Sequence, residues 1–380
     1  MLPCREGPGH SNRTALLIPT KPTTDIITVL SVSTAMSDPQ RPTVLVAVQE
    51  APIAFNLSAS IAKLQSLTSQ AASKARRDAQ AEWGNDAASR AQILVVFPEA
   101  FLSAYPRGMD FGATVGSRTD QGRAWFRRYH QSSVPVSDVE GAEMSAIRKA
   151  ASDNGVTLVV GVIERCDGPI SGPPREQWGA TARGGSGTLY CAALTISPTG
   201  QLLAARRKLA PTGSERLVWG QGSRGDIRVA DTPVGRVGAA ICWENYVPLF
   251  RHALYQEHAE IWTAPTADGR EQWQSTMVHV ACEARAFVVS VNQFNTRADF
   301  PEDYPCLPDA KSTDVVTRGG SVIVGPLGKV LAGPLWDQSG FLTACVDDIK
   351  GEIIEAKMDF DATGHYSRRD LLKLVINEDA

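Results

Sequence analysis

Strand patterns and helix patterns alternate along this chain from Thr43 onward. Residues 44–48 are a short apolar run typical of a strand, and residues 92–97 form another. Between these runs Asn56 is a suitable helix N-cap, and apolar residues follow it at helical spacing (Leu57, Ile61, Leu64, Leu67). Strand-helix-strand units of this kind favour an α/β fold built in layers.

The alternation continues into the C-terminal half. Residues 142–154 predict a helix that ends at Gly155, and residues 156–163 predict a strand. Further strands are predicted at 234–241, 260–264, 287–292 and 341–346, with helices at 248–258 and 271–285.

Two Pro-x-Gly segments predict hairpins. Residues 198–204 (PTGQLLA) and 326–332 (PLGKVLA) share the pattern P-x-G-x-x-L-A, in which proline presets the first turn position and glycine follows it. The first copy lies between predicted strands at 191–197 and 202–206. The repeat suggests two similar halves that place two sheets face to face.

The composition favours a globular protein that acts on small molecules. The 380 residues are 43% apolar and carry a net charge of -3 with mixed signs, so neither nucleic acid nor an anionic membrane is a predicted partner. No apolar run approaches the roughly 20 residues of a membrane helix, which predicts a soluble protein. Seven cysteines without a C-x-x-C pair predict no disulfide framework and no zinc site, and they favour the reducing cytoplasm.

Both ends of the chain differ from its middle. Residues 1–42 are rich in Pro, Thr and Ser, and two interpretations stay open for them: a disordered extension or a targeting peptide. Residues 350–380 form a charged C-terminal tail with several leucines. This tail is predicted either to pack on a partner subunit or to cover its own domain as a local helix.

Cys242 lies where a predicted strand runs into a turn, a position that lifts a nucleophile clear of a sheet. A thiol attacks as the thiolate, so its pKa of about 8.5 has to be lowered by a nearby cation or helix N-terminus. Lys208, at a predicted strand end, is the candidate cation, and the helix predicted from about Pro248 is the candidate helix. The segment therefore predicts a cysteine nucleophile.

Carboxylates are the candidates for proton transfer, because the six histidines show no catalytic motif. Glu99 ends an apolar strand, where burial raises the pKa of a carboxyl toward values useful for a general base. Glu215, seven residues after Lys208, is predicted to hold that lysine or the substrate. Glu244 and Asn245, beside the nucleophile, are predicted to stabilise the turn rather than to catalyse.

Other site patterns fit the chain poorly. Without a histidine motif a papain-like Cys-His pair has no support, and no G-x-S-x-G segment occurs. Residues 220–225 (GQGSRG) match G-x-G-x-x-G, but the strand and helix that a dinucleotide site requires around it are not predicted. This segment is predicted to be a loop.

Three segments resemble the nitrilase superfamily. They are residues 97–108 (FPEAFLSAYPRG), 207–222 (RKLAPTGSERLVWGQG) and 241–249 (ICWENYVPL). The resemblance extends from position 44 to about 374. It implies a four-layer α-β-β-α sandwich in a carbon–nitrogen hydrolase domain at residues 43–349, with a Glu-Lys-Cys triad.

The resemblance also implies roles for single residues. Glu99 is the general base, Lys208 the stabilising cation, Cys242 the attacking thiol and Glu215 an additional structural or catalytic carboxylate. The backbone amide of Trp243 joins Lys208 in stabilising the developing anion. No metal and no organic cofactor is implied.

Finer motif details resemble nitrilases proper more than the amidase branches. They are Cys-Trp-Glu-Asn at 242–245, residues 218–222 (VWGQG) and residues 264–271 (APTADGRE). The tail segment 364–370 (GHYSRRD) also resembles the branch, with Arg369 where a proline is frequent. The resemblance therefore implies hydrolysis of an organic nitrile to an acid and ammonia through a thioimidate and a thioester, with some amide by-product.

Tyr105 and Trp243 are candidates for the substrate pocket wall, which favours an aromatic or arylaliphatic nitrile. Trp178 is a third candidate, although ordinary packing is the preferred interpretation for it. The alternatives are a cyanide hydratase or an aliphatic amidase with the same triad, and a non-catalytic scaffold that binds a partner through residues 350–380. A homo-oligomer, often a spiral in this family, is also implied.

Overall fold

The structure is a computed structural model that describes residues 42–167 and 187–376, all within one folded unit, residues 40–380. Its strands are β1 (Thr43–Gln49), β2 (Gln92–Val96), β3 (Ala113–Thr114), β4 (Ser117–Arg118), β5 (Thr157–Arg165), β6 (Leu189–Ile196), β7 (Leu202–Arg207), β8 (Val229–Thr232), β9 (Gly235–Ala239), β10 (Ile261–Thr266), β11 (Phe287–Asn292), β12 (Phe294–Thr296), β13 (Val315–Val324), β14 (Val330–Trp336) and β15 (Gly340–Val346). Its α-helices are α1 (Leu57–Arg90), α2 (Asp120–Gln131), α3 (Ala142–Asn154), α4 (Pro248–Gln256), α5 (Gln272–Ala284) and α6 (Ile349–Ala356). Short 3-10 helices include Gly213–Leu217 and Cys242–Tyr246.

Two large sheets contain most of the strands. The first has the order β15-β1-β2-β5-β6-β7, and the second has the order β12-β13-β11-β10-β9-β8 with β14 paired to β13. Strands β1, β2 and β5 are parallel, and so are β9, β10 and β11. The C-terminal ends of parallel strands meet at one edge of a sheet, where ligand sites of α/β folds commonly lie.

The two sheets pack face to face, and helices cover their outer faces, which gives four layers. Successive strand residues point to opposite faces, so Leu45 and Ala47 of β1 pack in the core between the sheets, together with Phe287 and Val289 of the second sheet. Val44 and the neighbouring outward positions of β1 pack instead on α1 and α3. The outer face of the second sheet is covered by α4 and α5. The predicted α-β-β-α sandwich is confirmed.

Local signals in the sequence are confirmed where the structure describes them. The Asn56 side chain accepts a hydrogen bond from the Ala59 amide at the start of α1, and Gly155 ends α3 in the left-handed conformation (φ 58°). Both Pro-x-Gly segments connect antiparallel strands, β6–β7 and β13–β14. The segment 220–225 lies in a loop with a single 3-10 turn, as expected.

The described residues include only one position of the N-terminal segment and most of the C-terminal tail. Of the predicted extension 1–42, only Pro42 is among the described residues. Helix α6 begins at Ile349 and packs Ile349 and Ile353 on the core between the sheets, while Leu371 and Leu372 farther along the tail are exposed. No helix in ranges 42–167 and 187–376 combines the length and apolar character needed to cross a bilayer.

Candidate active site

Glu99, Lys208 and Cys242 lie just beyond the ends of three strands from both sheets. Glu99 follows β2 and Lys208 follows β7, both in the first sheet, whereas Cys242 follows β9 in the second. The turn with Glu99 crosses β5 at Gly161, where a Cβ atom would lie 2.1 Å from the Pro98 carbonyl oxygen and 2.8 Å from Glu99 Cα. Glycine at 161 is therefore required for Glu99 to occupy this position.

The turn with Cys242, the candidate nucleophile, is held in an unusual backbone conformation. Cys242 has φ 52°, a left-handed value that non-glycine residues rarely adopt. Asn245 donates from Nδ2 to the Ala240 carbonyl (2.9 Å) and to the Cys242 carbonyl (2.8 Å), and its Oδ1 accepts from Trp262 Nε1 (2.8 Å). Asn245 thus stabilises the turn on both sides of the cysteine, the role that the sequence predicted.

Lys208 joins two carboxylates. Its ammonium donates to Glu99 Oε1 and to Glu215 Oε2, at 2.8 Å each, and the side chains of Lys208 and Glu99 are 0% exposed. Contact between Glu215 and the lysine, one of the two roles predicted for Glu215, is present. Burial opposes the charge of Lys208, but Glu99 and other nearby groups raise its pKa well above the ordinary value. The lysine therefore stays protonated.

Glu99 has one bonded and one unbonded oxygen. Oε1 accepts from Lys208 and from the Cys191 thiol (3.5 Å), whereas Oε2 has no hydrogen-bond partner among the described residues. Gln293, from the second sheet, donates to the Glu99 backbone carbonyl at 2.9 Å. Burial raises the pKa of Glu99, and Lys208 only partly offsets this. Glu99 has the properties expected of a general base.

The electrostatics at Cys242 correct one prediction. Lys208 was expected to hold the thiol ionised, but burial and the nearby Glu99 raise the pKa of Cys242 to about 12, against the opposing effects of Lys208 and Thr266. Because Glu215 and Glu99 share the single ammonium, little positive charge remains to stabilise a thiolate. The expected helix at Pro248 is α4, but the 3-10 helix Cys242–Tyr246 separates it from the thiol. The resting group is a thiol.

A buried ion pair connects the lysine segment to the Cys242 turn. Arg206 donates to Glu244 Oε1 at 2.5 Å, and both side chains are buried. Glu244 also accepts from the Leu209 amide (2.7 Å) and from the Ile241 amide (2.8 Å). Glu244 has the structural role that was predicted, and Arg206 is a partner that the sequence did not reveal.

The two candidate pocket residues differ in their surroundings. Tyr105 is half-buried, and its hydroxyl donates to Glu215 Oε1 at 2.8 Å, so it touches the lysine network. Trp243 is 41% exposed, and its indole N–H donates to Asp268 Oδ2 at 2.9 Å. Trp178 lies outside the described residues.

Sequence reasoning missed the partners that come from distant strands, namely Cys191, Gln293 and Thr266. Thr266 alone had a signal, because it lies in segment 264–271, which was noted only for its resemblance to the nitrilase branch. No group of three or more His, Cys, Asp or Glu able to hold a metal ion occurs in the part of the chain that the structure describes.

A family profile for carbon–nitrogen hydrolases matches residues 45–353 of the chain. The protein therefore belongs to the carbon–nitrogen hydrolase family, the nitrilase superfamily. A carbon-nitrogen hydrolase from Helicobacter pylori shares the fold, with a TM-score of 0.60 and 17% identity over 87% of this chain and 97% of that one.

Curated relatives place the chain on the nitrilase branch of that family. Nitrilase 2 of Arabidopsis thaliana is 47% identical over 298 residues, which are 77% of this chain and 81% of the relative. A bifunctional nitrilase/nitrile hydratase of Nicotiana tabacum is 44% identical over 299 residues, 78% of this chain and 79% of the relative. The protein is thus a hydrolase of the nitrilase type.

Proposed function

We propose that this protein hydrolyses an organic nitrile to the carboxylic acid and ammonia, with Cys242 as nucleophile. The observation that carries the proposal is the buried Glu99–Lys208–Glu215 network, with 2.8 Å on each side of the ammonium, beside the Cys242 turn. Identity of 47% to a protein named as a nitrilase supports nitrile over amide as the substrate.

The first step is addition of sulfur to the nitrile carbon. The thiol proton passes to Glu99, whose Oε2 is free to accept it, so the net charge of the buried group does not change. The S–C bond forms as one π bond of the nitrile breaks, and the nitrogen takes from Glu99 the proton that came from the thiol, which gives a thioimidate and returns Glu99 to the carboxylate. Lys208 and the Trp243 amide stabilise the negative charge that develops on nitrogen.

Two water molecules complete the reaction. Glu99 takes a proton from the first water as it adds to the thioimidate carbon, and protonated nitrogen leaves as ammonia, which gives a thioester. Glu99 activates the second water in the same way. The S–C bond then breaks to release the acid, and Glu99 gives its proton to the Cys242 sulfur. If the first tetrahedral intermediate expels sulfur instead of nitrogen, the product is the amide.

The amide branch is the second candidate activity. The bifunctional nitrilase/nitrile hydratase relative favours it, because its name includes amide formation from a nitrile. The partition depends on whether nitrogen or sulfur is the better leaving group, and therefore on which of them receives the proton from Glu99. A mixture of acid and amide is the expected product.

An aromatic or arylaliphatic nitrile is the proposed substrate class. Support comes from Tyr105, whose ring lies 5.8 Å from that of Trp219 beside the lysine network, and from Trp243 next to the nucleophile. Aromatic side chains of this kind provide flat apolar walls for a ring substrate.

A nitrile panel with product identification by mass tests the proposal. Benzonitrile, phenylacetonitrile and an aliphatic nitrile are compared with the matching amides, and Cys242→Ala is the control for background hydrolysis. We expect acid and ammonia together with some amide from the nitriles, with the aromatic members fastest. Preference for the amides by orders of magnitude would replace the nitrilase assignment with an amidase.

We also propose that the protein forms a homo-oligomer in the cytoplasm. Exposed apolar side chains support self-association, both after the nucleophile turn (Val247 and Leu249) and in the tail (Leu371, Leu372 and Val375). Light scattering after size exclusion gives the subunit number, and a monomer at micromolar concentration would contradict the proposal. Electron microscopy shows whether the assembly is a spiral.

A further inference from the structure

Thr266 contacts the sulfur of Cys242, and no step described above uses it. It is the last residue of β10, and its buried side chain donates a hydrogen bond from Oγ1 to Cys242 Sγ at 3.3 Å. The two residues come from neighbouring parallel strand ends, 24 positions apart in sequence. The contact is therefore a product of the fold and not of a local motif.

The backbone and the sulfur take different parts of the Thr266 hydroxyl group. The Asp268 amide donates to Thr266 Oγ1 at 3.0 Å, so the oxygen already acts as an acceptor on that side. A hydroxyl has one proton, and among the described residues the sulfur is the acceptor that this proton reaches. The hydroxyl dipole therefore points its positive end at the sulfur.

The residues around Thr266 hold it rigidly. Arg270 donates from Nε to Asp268 Oδ1 at 2.9 Å, and Trp243 donates to Asp268 Oδ2 at 2.9 Å. Arg107 donates to the Ala267 carbonyl at 2.6 Å. Because the Ala267–Asp268 peptide and the Asp268 carboxylate are both held by hydrogen bonds, the hydroxyl needs no reorganisation when charge appears on the sulfur.

We propose that the Thr266 hydroxyl is a catalytic group that stabilises the Cys242 thiolate while the thiol proton is on Glu99. The inference rests on the proposed function, in which Cys242 is the nucleophile. Lys208 is shared by two carboxylates, so a neutral donor in direct contact with the sulfur supplies stabilisation that the ammonium does not. Thr266 forms no covalent bond and keeps its proton throughout.

The test compares Thr266→Val, which keeps the shape and removes the hydroxyl, with Thr266→Ser, which keeps the hydroxyl. The rate of iodoacetamide labelling at the Cys242 peptide is measured by mass between about pH 6 and 9, where thiolate character decides reactivity. For Thr266→Val we expect labelling and kcat/KM to fall by about 10- to 100-fold, the range for a lost hydrogen bond to a charged group. Thr266→Ser should stay within about threefold of the parent.

Thr263→Val is the matched control. Thr263 lies on the same strand, is equally buried, and donates to the Gly238 carbonyl at 3.0 Å instead of to the sulfur. Its loss should lower the melting temperature without changing Cys242 labelling. If Thr266→Val does not fold, Thr266→Ala against Thr266→Ser gives the same comparison.

Two results would overturn the inference. One is labelling of Cys242 at the parent rate in Thr266→Val, and the other is equal loss in the Val and Ser variants, which would show that the hydroxyl is not responsible. Labelling requires no nitrile turnover. A protein that hydrolyses no nitrile, but whose Cys242 labelling depends on Thr266, would refute nitrile hydrolysis while supporting stabilisation of the Cys242 thiolate by Thr266.

Discussion

Compared with the end of the second sheet, the end of the first sheet carries far more charge at the active site. It supplies Glu99 and Lys208, and Glu215 completes a buried group of two carboxylates around one ammonium. The second sheet supplies Cys242 and Thr266, which are neutral and joined by a single hydrogen bond. Buried charges need partners, whereas a thiol can rest uncharged in the same surroundings.

This difference explains why the thiol is protonated at rest. A thiolate would add a further negative charge to a group that already has more carboxylates than cations, and burial makes that costly. Transfer of the proton to Glu99 moves charge from one sheet end to the other without adding any. The site is therefore arranged for proton exchange between its halves.

The largest effect is expected from removal of Cys242, the proposed nucleophile in the uncharged part of the site. Cys242→Ala should lower nitrile turnover by about four orders of magnitude or more, because the S–C bond of the proposed thioimidate cannot form. The melting temperature should change little, since alanine fits the turn that Asn245 holds. Steady-state assays and thermal melts measure the two quantities. Undiminished turnover in this variant would refute the assigned nucleophile.

Removal of the cation from the charged half should come next. Lys208→Met leaves Glu99 and Glu215 buried without a counter-charge, so we expect a loss of about 3–5 kcal/mol in the free energy of unfolding. Activity should fall by about 100- to 1,000-fold, the range for a lost anion-stabilising donor.

Lys149→Met is the control for this lysine. Lys149 pairs with Asp153 at 2.6 Å on the surface, with its side chain 63% exposed, so its loss should cost no more than about 0.5 kcal/mol. Denaturant melts compare the two variants. Equal stability losses would contradict the importance of burial for the Lys208 network.

A smaller effect is expected when only the position of the base changes. Gly161→Ala places a Cβ atom against the Pro98 carbonyl and the Glu99 backbone, so the turn must shift, at a cost of about 1–3 kcal/mol. A displaced base should lower kcat by about 10- to 100-fold. Gly325→Ala, where the nearest atoms are 3.7 Å away, should leave kcat unchanged. A parent-like kcat for Gly161→Ala would show that the turn relaxes without moving Glu99.

The smallest effect is expected in the pH dependence of kcat/KM, and it should come from Glu99 of the first sheet. Burial raises the pKa of Glu99. As the pH decreases, Glu99 therefore becomes protonated and kcat/KM falls, with a midpoint above the ordinary glutamate pKa of about 4.3. The pKa of Cys242 is about 12 and that of Lys208 is raised further from neutrality, so neither adds an acid limb. Rate measurements at constant ionic strength give the midpoint. A midpoint at or below the ordinary value would contradict the burial effect.

The sequence predicted what depends on neighbouring residues. The Asn56 cap, the Gly155 end of α3 and both Pro-x-Gly hairpins are local, and the strand-end positions of Glu99 and Lys208 follow from apolar runs that stop before them. Helix α1 continues far beyond Leu67, where the predicted apolar spacing ended. Its later turns bury alanines (Ala71, Ala72, Ala75 and Ala79), which give a weak hydrophobic signal.

The sequence did not predict what depends on contacts between distant strands. Gln293 and Thr266 reach the site from the second sheet, and Cys191 reaches it from β6. The protonated state of Cys242 also depends on such contacts, because it follows from the sharing of Lys208 between Glu99 and Glu215. Charges at known positions determine a pKa only when their distances are known.

The Arg206–Glu244 pair limits how this enzyme can be altered. The Glu244 carboxylate accepts hydrogen bonds from the amides of Leu209 and Ile241. It therefore links the segment after β7, which carries Lys208, to the turn that carries Cys242. Substitutions that move either of these two segments would therefore move the other as well. Variant libraries for new specificities should therefore sample both segments jointly and keep position 244 constant.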